Sequence, residues 1–489
     1  MSENKSKKVS SNLTWRLMER FGAQGVTLIV SIILARLLDP SVYGTIALVT
    51  VFTTILHVFV DSGFGTSLIQ KKDADDLDFS SVFYFNIVFC ILLYTGMFFF
   101  APLIASFYNQ PDLKPVIRVL SLTIVISGLK NVQQAYISKN MLFKRFFYAT
   151  IGGTIGAAII GILLAYFGFG VWALVAQHLF NLTVDTIILW ITVKWRPKRM
   201  FSFKRLKILL SFGWKLLLSS LLDKIYNELR SLIIGKKYST EDLAYYNKGD
   251  TFPKLITTNI NSSIESVLFP TLSAEQDKKE RVKAMMRRFI KVSSFLMMPL
   301  MVGLAVCAEP IIRLVLTEKW LPSVLYLRVF CFTYSFYSIH TANLSAIKAL
   351  GKSDYFLIIE VIKKVIGFAA LFITMWISVE AMVYSLIVTS ILAQIINSWP
   401  NKKLLNYSYF EQIKDILPQI CLSLLMGFIV YFVIFLNLSD ILTLIIQIPL
   451  GALVYIGLSK LFKVDSYEYC IKTIKELISK KKEIEKENE

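Results

Sequence analysis

The stretch Ile32–Val51, "IILARLLDPSVYGTIALVTV", places Arg36, Asp39 and Pro40 between two runs apolar enough for a membrane interior. Extended outward, those runs become Leu13–Leu38 and Tyr43–Leu68, each reaching the ~20 residues a helix needs to cross a hydrocarbon core. The polar break then reads as a short hairpin on the outer side. Asp39 is the N-cap, and Pro40 sits in the first turn, where its missing N–H costs nothing. Tyr43 lies at the interface, and Arg36 reaches headgroups or Asp39. Composition agrees with a chain made of such units: 489 residues, 55% hydrophobic and only 18% charged, with mean hydropathy +0.58.

About fourteen candidate crossings follow along the chain. Two of them, Ile208–Ile234 and Tyr245–Pro270, are so polar that a hydropathy window would pass over them. Orientation argues for counting them. With the N-terminus inside, "SKNMLFKR", "KWRPKRMFSFKRLK", "DKKERVKAMMRRF", "PNKKLLN" and the lysine-rich tail fall on one side, while "DPSV", "FGFG", "ISVE" and "NLSD", free of lysine and arginine, fall on the other. This positive-inside asymmetry survives only if both polar segments cross. It also accounts for the net charge of +19 without nucleic acid, because the cations lie in short loops between apolar spans.

The start, "MSENKSKKVSSN", leads into a segment carrying Arg16, Glu19 and Arg20, too long and too charged for a signal-peptide core, so the first helix is expected to be retained. The five cysteines, Cys90, Cys307, Cys331, Cys421 and Cys470, form neither a paired framework nor a CxxC spacing, which argues against structural disulfides and zinc. In the tail, Ile471, Ile474, Leu477 and Ile478 recur at helical spacing, the pattern of an amphipathic helix on the membrane surface.

The chain repeats itself. Trp15 precedes a helix ending "LARLLDPSVYG", and Trp214 precedes one ending "IIGKKYSTEDLAYY"; "IRVLSLTIVISG" (Ile117–Gly128) resembles "LRVFCFTYSFYS" (Leu327–Ser338). Both offsets are about 200 residues with an even number of helices between, so the halves are parallel repeats. The expected architecture is an all-α polytopic membrane protein with both termini inside. Residues 1–205 form one lobe of helices 1–6 and residues 206–400 a second of helices 7–12, while 401–489 supply helices 13 and 14 and the tail.

The pattern "LARLLDPSVYGTIALV" followed by "DSGFGTSLIQKKD" resembles the Wzx-type polysaccharide flippases of the MOP (multidrug/oligosaccharidyl-lipid/polysaccharide) superfamily, the exporters of lipopolysaccharide, capsule and exopolysaccharide. The resemblance extends over most of the chain. It implies a MATE-like fold and a transporter, not an enzyme, that carries an undecaprenyl-diphosphate-linked oligosaccharide from the cytoplasmic to the outer leaflet of the bacterial inner membrane by alternating access. Its partners would be the lipid-linked oligosaccharide, membrane lipids and other polysaccharide-assembly proteins, with no cofactor beyond proton or sodium coupling.

Such cargo needs cations for the diphosphate and hydroxyl or amide groups for the sugar. Polar residues three, four and seven apart share a helix face. The eighth span carries Asp250, Lys254, Thr257, Asn261 and Glu265 in one stripe, and the seventh carries Asp223, Asn227 and Arg230. The first carries Arg20, Gln24, Thr27 and Ser31, and the second Thr50, Thr54, His57 and Asp61. A charge facing lipid is costly, so these stripes should face protein or water. Substrate candidates are Lys254, Arg20, Lys130, Arg230, Asn227, Asn261 and Gln24; coupling candidates are Asp61, His57, Glu265, Asp223 and Asp250. Plainer roles stand beside these. Arg16, Glu19, Arg20 and Lys215 fit snorkelling to headgroups, Lys254 with Asp250 one turn away fits an internal ion pair, and His340 near Asn343 fits helix packing.

Other apparent motifs carry little. "GKS" at Gly351–Ser353 lacks the upstream glycine of a phosphate loop, Ala346 standing in its place. "DADDLD", Asp73–Asp78, reads as a solvated turn rather than a metal cluster, and no HExxH or GxSxG is present. Two alternative functions remain: a cation-coupled drug or metabolite antiporter of the same superfamily, which should have acidic sites dominating its cavity, and a membrane-bound glycan polymerase or ligase, which should have a long external loop.

Overall fold

The computed structural model describes residues 18, 22–61, 64–71, 73–140, 142–472 and 475–476, which are helical apart from short connections, with no strand among them. Trp15, Arg16, Glu19, Arg20, Ile474, Leu477 and Ile478, and the side chain of Lys215, lie outside the described ones. The chain divides into two compact units, Met1–Ala244 and Tyr245–Glu489.

In the first unit α1 (Gly22–Leu37) leads into α2 (Pro40–Asp61), α3 (Phe64–Gln70), α4 (Asp76–Phe107), α5 (Leu113–Leu120), α6 (Leu122–Lys139), α7 (Phe143–Tyr166), α8 (Val171–Thr192) and α9 (Phe203–Lys237). Next, α10 (Thr240–Ala274) runs on into the second unit. There it is followed by α11 (Lys279–Val306), α12 (Ala308–Leu316), α13 (Ser323–Ser335), α14 (Tyr337–Ala349), α15 (Ser353–Thr374), α16 (Val379–Leu405), α17 (Tyr409–Tyr431) and α18 (Asp440–Leu461). Nine helices among the described residues are long and apolar enough to cross a membrane; α9 and α10 are not among them, although each runs 35 residues.

Local chemistry sets the boundaries. Pro40 opens α2, as its fixed φ suits a first helical position. In α4, Asp75 and Asp78 form a reciprocal capping box, and Ser408 and Glu411 do the same for α17. At α10, Ser239 Oγ accepts from the Asp242 N–H at 3.0 Å and the Ser239 N–H donates to the Asp242 carboxylate at 3.2 Å. Ser239 thus stands where Asp39 stands in the first hairpin. Asn406 and Asn437 take the left-handed conformation that ends α16 and the turn after α17.

Polar residues are buried among the apolar core, while large apolar side chains cover much of the exposed helix surface. On α18 the buried set is Thr443, Gln447, Gly451, Tyr455 and Ser459, one residue in every four, with Leu444 beside them, whereas Ile445, Ile448, Leu453 and Ile456 are exposed. Small and polar residues let helix backbones approach and bond inside a bilayer, where lipid solvates the aliphatic face.

The repeat is written into the helix limits. Leu113 and Ser323, which open the bent pairs α5–α6 and α13–α14, stand 210 positions apart, as do Lys139 and Ala349, which close them. Phe143 and Ser353 open α7 and α15 at the same spacing. The bend differs, falling at Ser121 in one pair and Phe336 in the other.

The acidic turn differs from its expectation. Instead of lying solvated, Asp78 is fully buried and paired with Lys71 at 2.6 Å and Arg205 at 3.3 Å. Asp76 bonds Lys198 at 2.5 Å and the Trp195 indole N–H at 3.1 Å. The physical reason is the basic connection 193–202 before α9, which folds back on the start of α4; its Lys198 and Ser202 N–H groups donate to Ser80 and Ser81.

Candidate functional site

In the first unit the polar residues of α2 meet those of α6 and α8. His57 Nε2 lies 3.4 Å from Thr123 Oγ1, within electrostatic range of Asp61 and Lys130. The Asn131 amide donates to Asp61 at 3.2 Å. Lys130 pairs with Asp185 at 2.7 Å, the two side chains only 15% and 11% exposed. A cation and an anion this far from solvent hold each other against a large desolvation cost. Two acceptors of the cluster, Asp185 Oδ1 and Asn131 Oδ1, are buried without a hydrogen-bond donor among the described residues. Gly128 makes the close approach possible, since a Cβ there would stand 2.7 Å from Cys90 Sγ on α4. Acceptor-rich, with an imidazole beside a carboxylate, this group has the chemistry to exchange a proton or hold a monovalent cation.

The α9 row is open. Asp223 and Asn227 are exposed and Arg230 is half-buried, its Nε without a hydrogen-bond partner among the described residues. Lys224 and Glu228 on the same helix pair at 3.0 Å. Gln24 is half-buried on α1, and Arg20 lies outside the described residues.

In the second unit the α10 stripe splits. Lys254 is 63% exposed and pairs with Asp250 at 3.0 Å; the Tyr334 hydroxyl on α13 donates to the other Asp250 oxygen at 2.7 Å. Glu265 is exposed and faces Lys348 of α14 at 3.9 Å. Thr257 and Asn261 turn inward instead. Thr257 bonds the Pro253 carbonyl at 2.8 Å, and Asn261, 7% exposed, has no hydrogen-bond partner for either amide atom among the described residues. Lys254, Thr258 and Glu265 are exposed on α10, together with the apolar Val267 and Phe269.

Sequence reasoning missed Tyr334, Thr123, Asn131 and the Lys130–Asp185 pairing, because these partners lie on different helices. His340, expected to serve helix packing with Asn343 nearby, meets the Asn397 amide of α16 through Nδ1 at 2.5 Å. Asn343 instead exchanges amide bonds with Gln412 at 2.8 and 3.0 Å and accepts from Asn401 at 2.7 Å. This buried amide knot ties α14, α16 and α17 together.

A family model described as polysaccharide biosynthesis protein matches residues 33–325. Over 316 residues the chain is 25% identical to the succinoglycan biosynthesis transport protein ExoT of Rhizobium meliloti, covering 64% of each. It is 24% identical over 304 residues to the teichuronic acid biosynthesis protein TuaB of Bacillus subtilis, covering 62% of this chain and 63% of that one. The lipopolysaccharide biosynthesis protein WzxC of Escherichia coli is 23% identical over 326 residues, 66% of each chain. The chain thus spans just under two thirds of the length of these relatives. Among solved structures, the lipid II flippase MurJ in an inward closed conformation superposes with a TM-score of 0.74 at 17% identity, covering 93% of this chain and 99% of that one. An inward-facing multidrug resistance MATE family transporter of the MOP superfamily gives 0.60 at 16% identity, covering 78% and 95%. These two likenesses show the fold.

Proposed function

Because the chain belongs to the polysaccharide biosynthesis protein family, we propose that it is a flippase for undecaprenyl-diphosphate-linked oligosaccharide. It carries this cargo from the cytoplasmic to the outer leaflet of the bacterial inner membrane by alternating access, in a fourteen-crossing arrangement with both termini cytoplasmic.

The observation that carries the reading is the Lys254–Asp250–Tyr334 group. An ammonium on a membrane-crossing helix is costly against lipid and stable against water or an anion, and Lys254 is largely exposed. Asp250 fixes it, and Tyr334 fixes Asp250. A diphosphate reaching Lys254 meets an ammonium that is largely exposed and held in an i,i+4 pair, so binding does not require stripping a fully buried ion pair. Asn227 and Arg230 supply amide and guanidinium donors of the kind that read sugar hydroxyls and phosphate. Coupling to protons or sodium falls to His57 and Asp61, where charge can change without breaking the Lys130–Asp185 pair.

The test is export. Lys254→Ala abolishes surface polysaccharide while the protein remains inserted at normal level, and the lipid-linked intermediate accumulates; Lys254→Arg retains part of the activity. Normal surface polysaccharide in the Lys254→Ala strain, with the protein present by immunoblot, overturns the assignment.

A further inference from the structure

Away from that site, α11, α17 and the turn after α18 enclose two adjoining clefts of about 500 and 530 Å³ that share Lys291, Asp465 and Ser466. The elements around them change character at one level. Along α11 the charged run ends at Lys291 and along α17 at Asp415, and α18 carries no charge between Asp440 at its start and Lys460 at its end, with Lys463 just beyond. Three elements switching from charged to apolar together mark a bilayer–water boundary, on the side of the basic loops.

The turn that closes the clefts is built. The Val464 N–H donates to the Ser459 carbonyl at 3.0 Å and the Lys463 N–H to the Lys460 carbonyl at 3.2 Å, a Schellman pair that needs Lys463 in the left-handed region, φ 48°. The chain beyond is tied down at several points. Asp465 pairs with Lys291 at 3.1 Å, the Ser466 hydroxyl and the Gln419 amide are joined at 3.1 Å, and the Arg288 guanidinium stacks 3.7 Å from the Tyr469 ring centre.

Four cations line the clefts, Arg287, Arg288, Lys291 and Lys463, against two carboxylates, Asp415 and Asp465. Asp415 is buried and satisfied by Arg287 at 2.6 Å and by the Tyr407 hydroxyl at 2.8 Å, so the net charge of the clefts is positive. The other wall of the first cleft is apolar, with Pro418, Leu422, Leu425 and Phe462. Leu425 and Phe462 are themselves exposed, as is Phe428 a turn deeper on α17. A cationic head beside an apolar track that runs toward the bilayer matches one ligand form, an anionic headgroup with an acyl chain attached.

We propose that these clefts bind one anionic phospholipid of the leaflet on the basic-loop side, its phosphate held by Arg288, Lys291 and Lys463 and its chain laid over Leu425 and Phe428. The lipid staples the tail to α11 and α17. The proposal rests on the family's placement in a membrane but not on the cargo, and its test involves no oligosaccharide, so either can fail alone.

The full chain, purified in a neutral detergent, is titrated with phosphatidylglycerol, phosphatidylcholine or inorganic phosphate while its melting temperature is followed. Phosphatidylglycerol raises the melting temperature saturably, and the other two do not. Arg288→Gln with Lys463→Asn, the asparagine chosen because it tolerates positive φ, weakens the effect roughly thirtyfold, about fivefold per cation. Lys114→Gln with Lys402→Gln removes the same charge elsewhere and leaves the effect intact. An equal shift with phosphatidylcholine, an equal shift with phosphate alone, or an equal loss in the control pair overturns the proposal. Should the double variant melt lower without lipid, Lys463→Asn alone, at an exposed position, serves in its place with a fivefold loss.

Discussion

Gly44 shows how much one residue can decide. A Cβ on it would overlap the Thr240 carbonyl oxygen, so the start of α2 packs backbone to backbone on the start of α10. Gly235 answers from α9, where a Cβ would stand 2.8 Å from Leu48. The hairpin in Ile32–Val51 and its later echo therefore lie against one another within the first unit. Gly44→Ala is expected to destabilise by about 3 kcal/mol, at the upper end for overpacking a tight contact. Gly96→Ala inside α4, where no atom of the described residues lies within 4 Å, should not lower the melting temperature of the purified protein and should raise it slightly. A second residue-scale outcome concerns Lys130 and Asp185. Lys130→Ala leaves a nearly buried carboxylate unpaired and should cost about 3 kcal/mol, and Lys130→Ala with Asp185→Ala should recover part of the loss. A melting-temperature cycle over the four proteins checks the sign of that coupling. Legibility divides along the same line. Asp250 and Lys254, four apart on one helix, could be paired from spacing, whereas Lys130 and Asp185 meet only because α6 packs on α8, which no local pattern encodes.

At the scale of elements, caps were the readable part. Pro40 sits where turn chemistry puts it, and Ser239, though not picked out from the sequence, obeys the same local rule, because capping depends on three or four consecutive residues. The acidic turn before α4, exposed at Asp73 and Asp75 as read, was misread at Asp78 for the opposite reason. Its carboxylates are answered by Lys198 and Arg205, more than a hundred positions later. Asp78→Ala removes one capping bond and the buried partner of Lys71 and Arg205, and should lower stability by about 3 kcal/mol. The loss should appear as earlier unfolding and as faster proteolysis of the 193–202 connection. The neighbouring cap has a definite pH sign. The Asp78 N–H, and then Arg205 and Lys71, hold the Asp75 carboxyl below the usual carboxylate range. Its contribution is thus present above the ordinary aspartate pKa and fades as pH falls through the lower folded value. Asp75→Asn should accordingly lower the melting temperature at pH 7 more than at pH 3. The buried amide knot of Asn343, Asn401 and Gln412 was illegible in sequence for another physical reason. In a membrane helix a lone amide reads equally as a cavity residue or as a bond between helices, and only the packing of α14, α16 and α17 distinguishes them.

The whole molecule joins two patterns that do not coincide. The repeat sets α9 and α10 as the counterparts of α1 and α2, while packing gathers α9 with the first compact unit, which ends at Ala244. A repeat records which segments share a sequence pattern; a unit records which segments bury surface together. The direction of crossing depends on the former. If α9 and α10 both cross, their connection around Glu241 lies outside; if they lie along the surface, it lies inside, and every other loop keeps its side because two crossings are lost together. Their polarity makes hydropathy silent here, and the argument for crossing comes from the basic loops alone. Single cysteines therefore decide it in a background lacking the native five. Asp112→Cys and Glu241→Cys should react with a membrane-impermeant maleimide on intact spheroplasts. Asp277→Cys and Lys402→Cys should react only after the membrane is opened. All four positions are exposed in the fold, so failure to label reports the side of the membrane and not burial. Protection of Glu241→Cys together with labelling of Asp112→Cys would remove α9 and α10 from the membrane. The Lys254 site would go with them, because a cation on a surface helix meets solvent and headgroups, where holding it with Asp250 and Tyr334 gains nothing for a buried cargo.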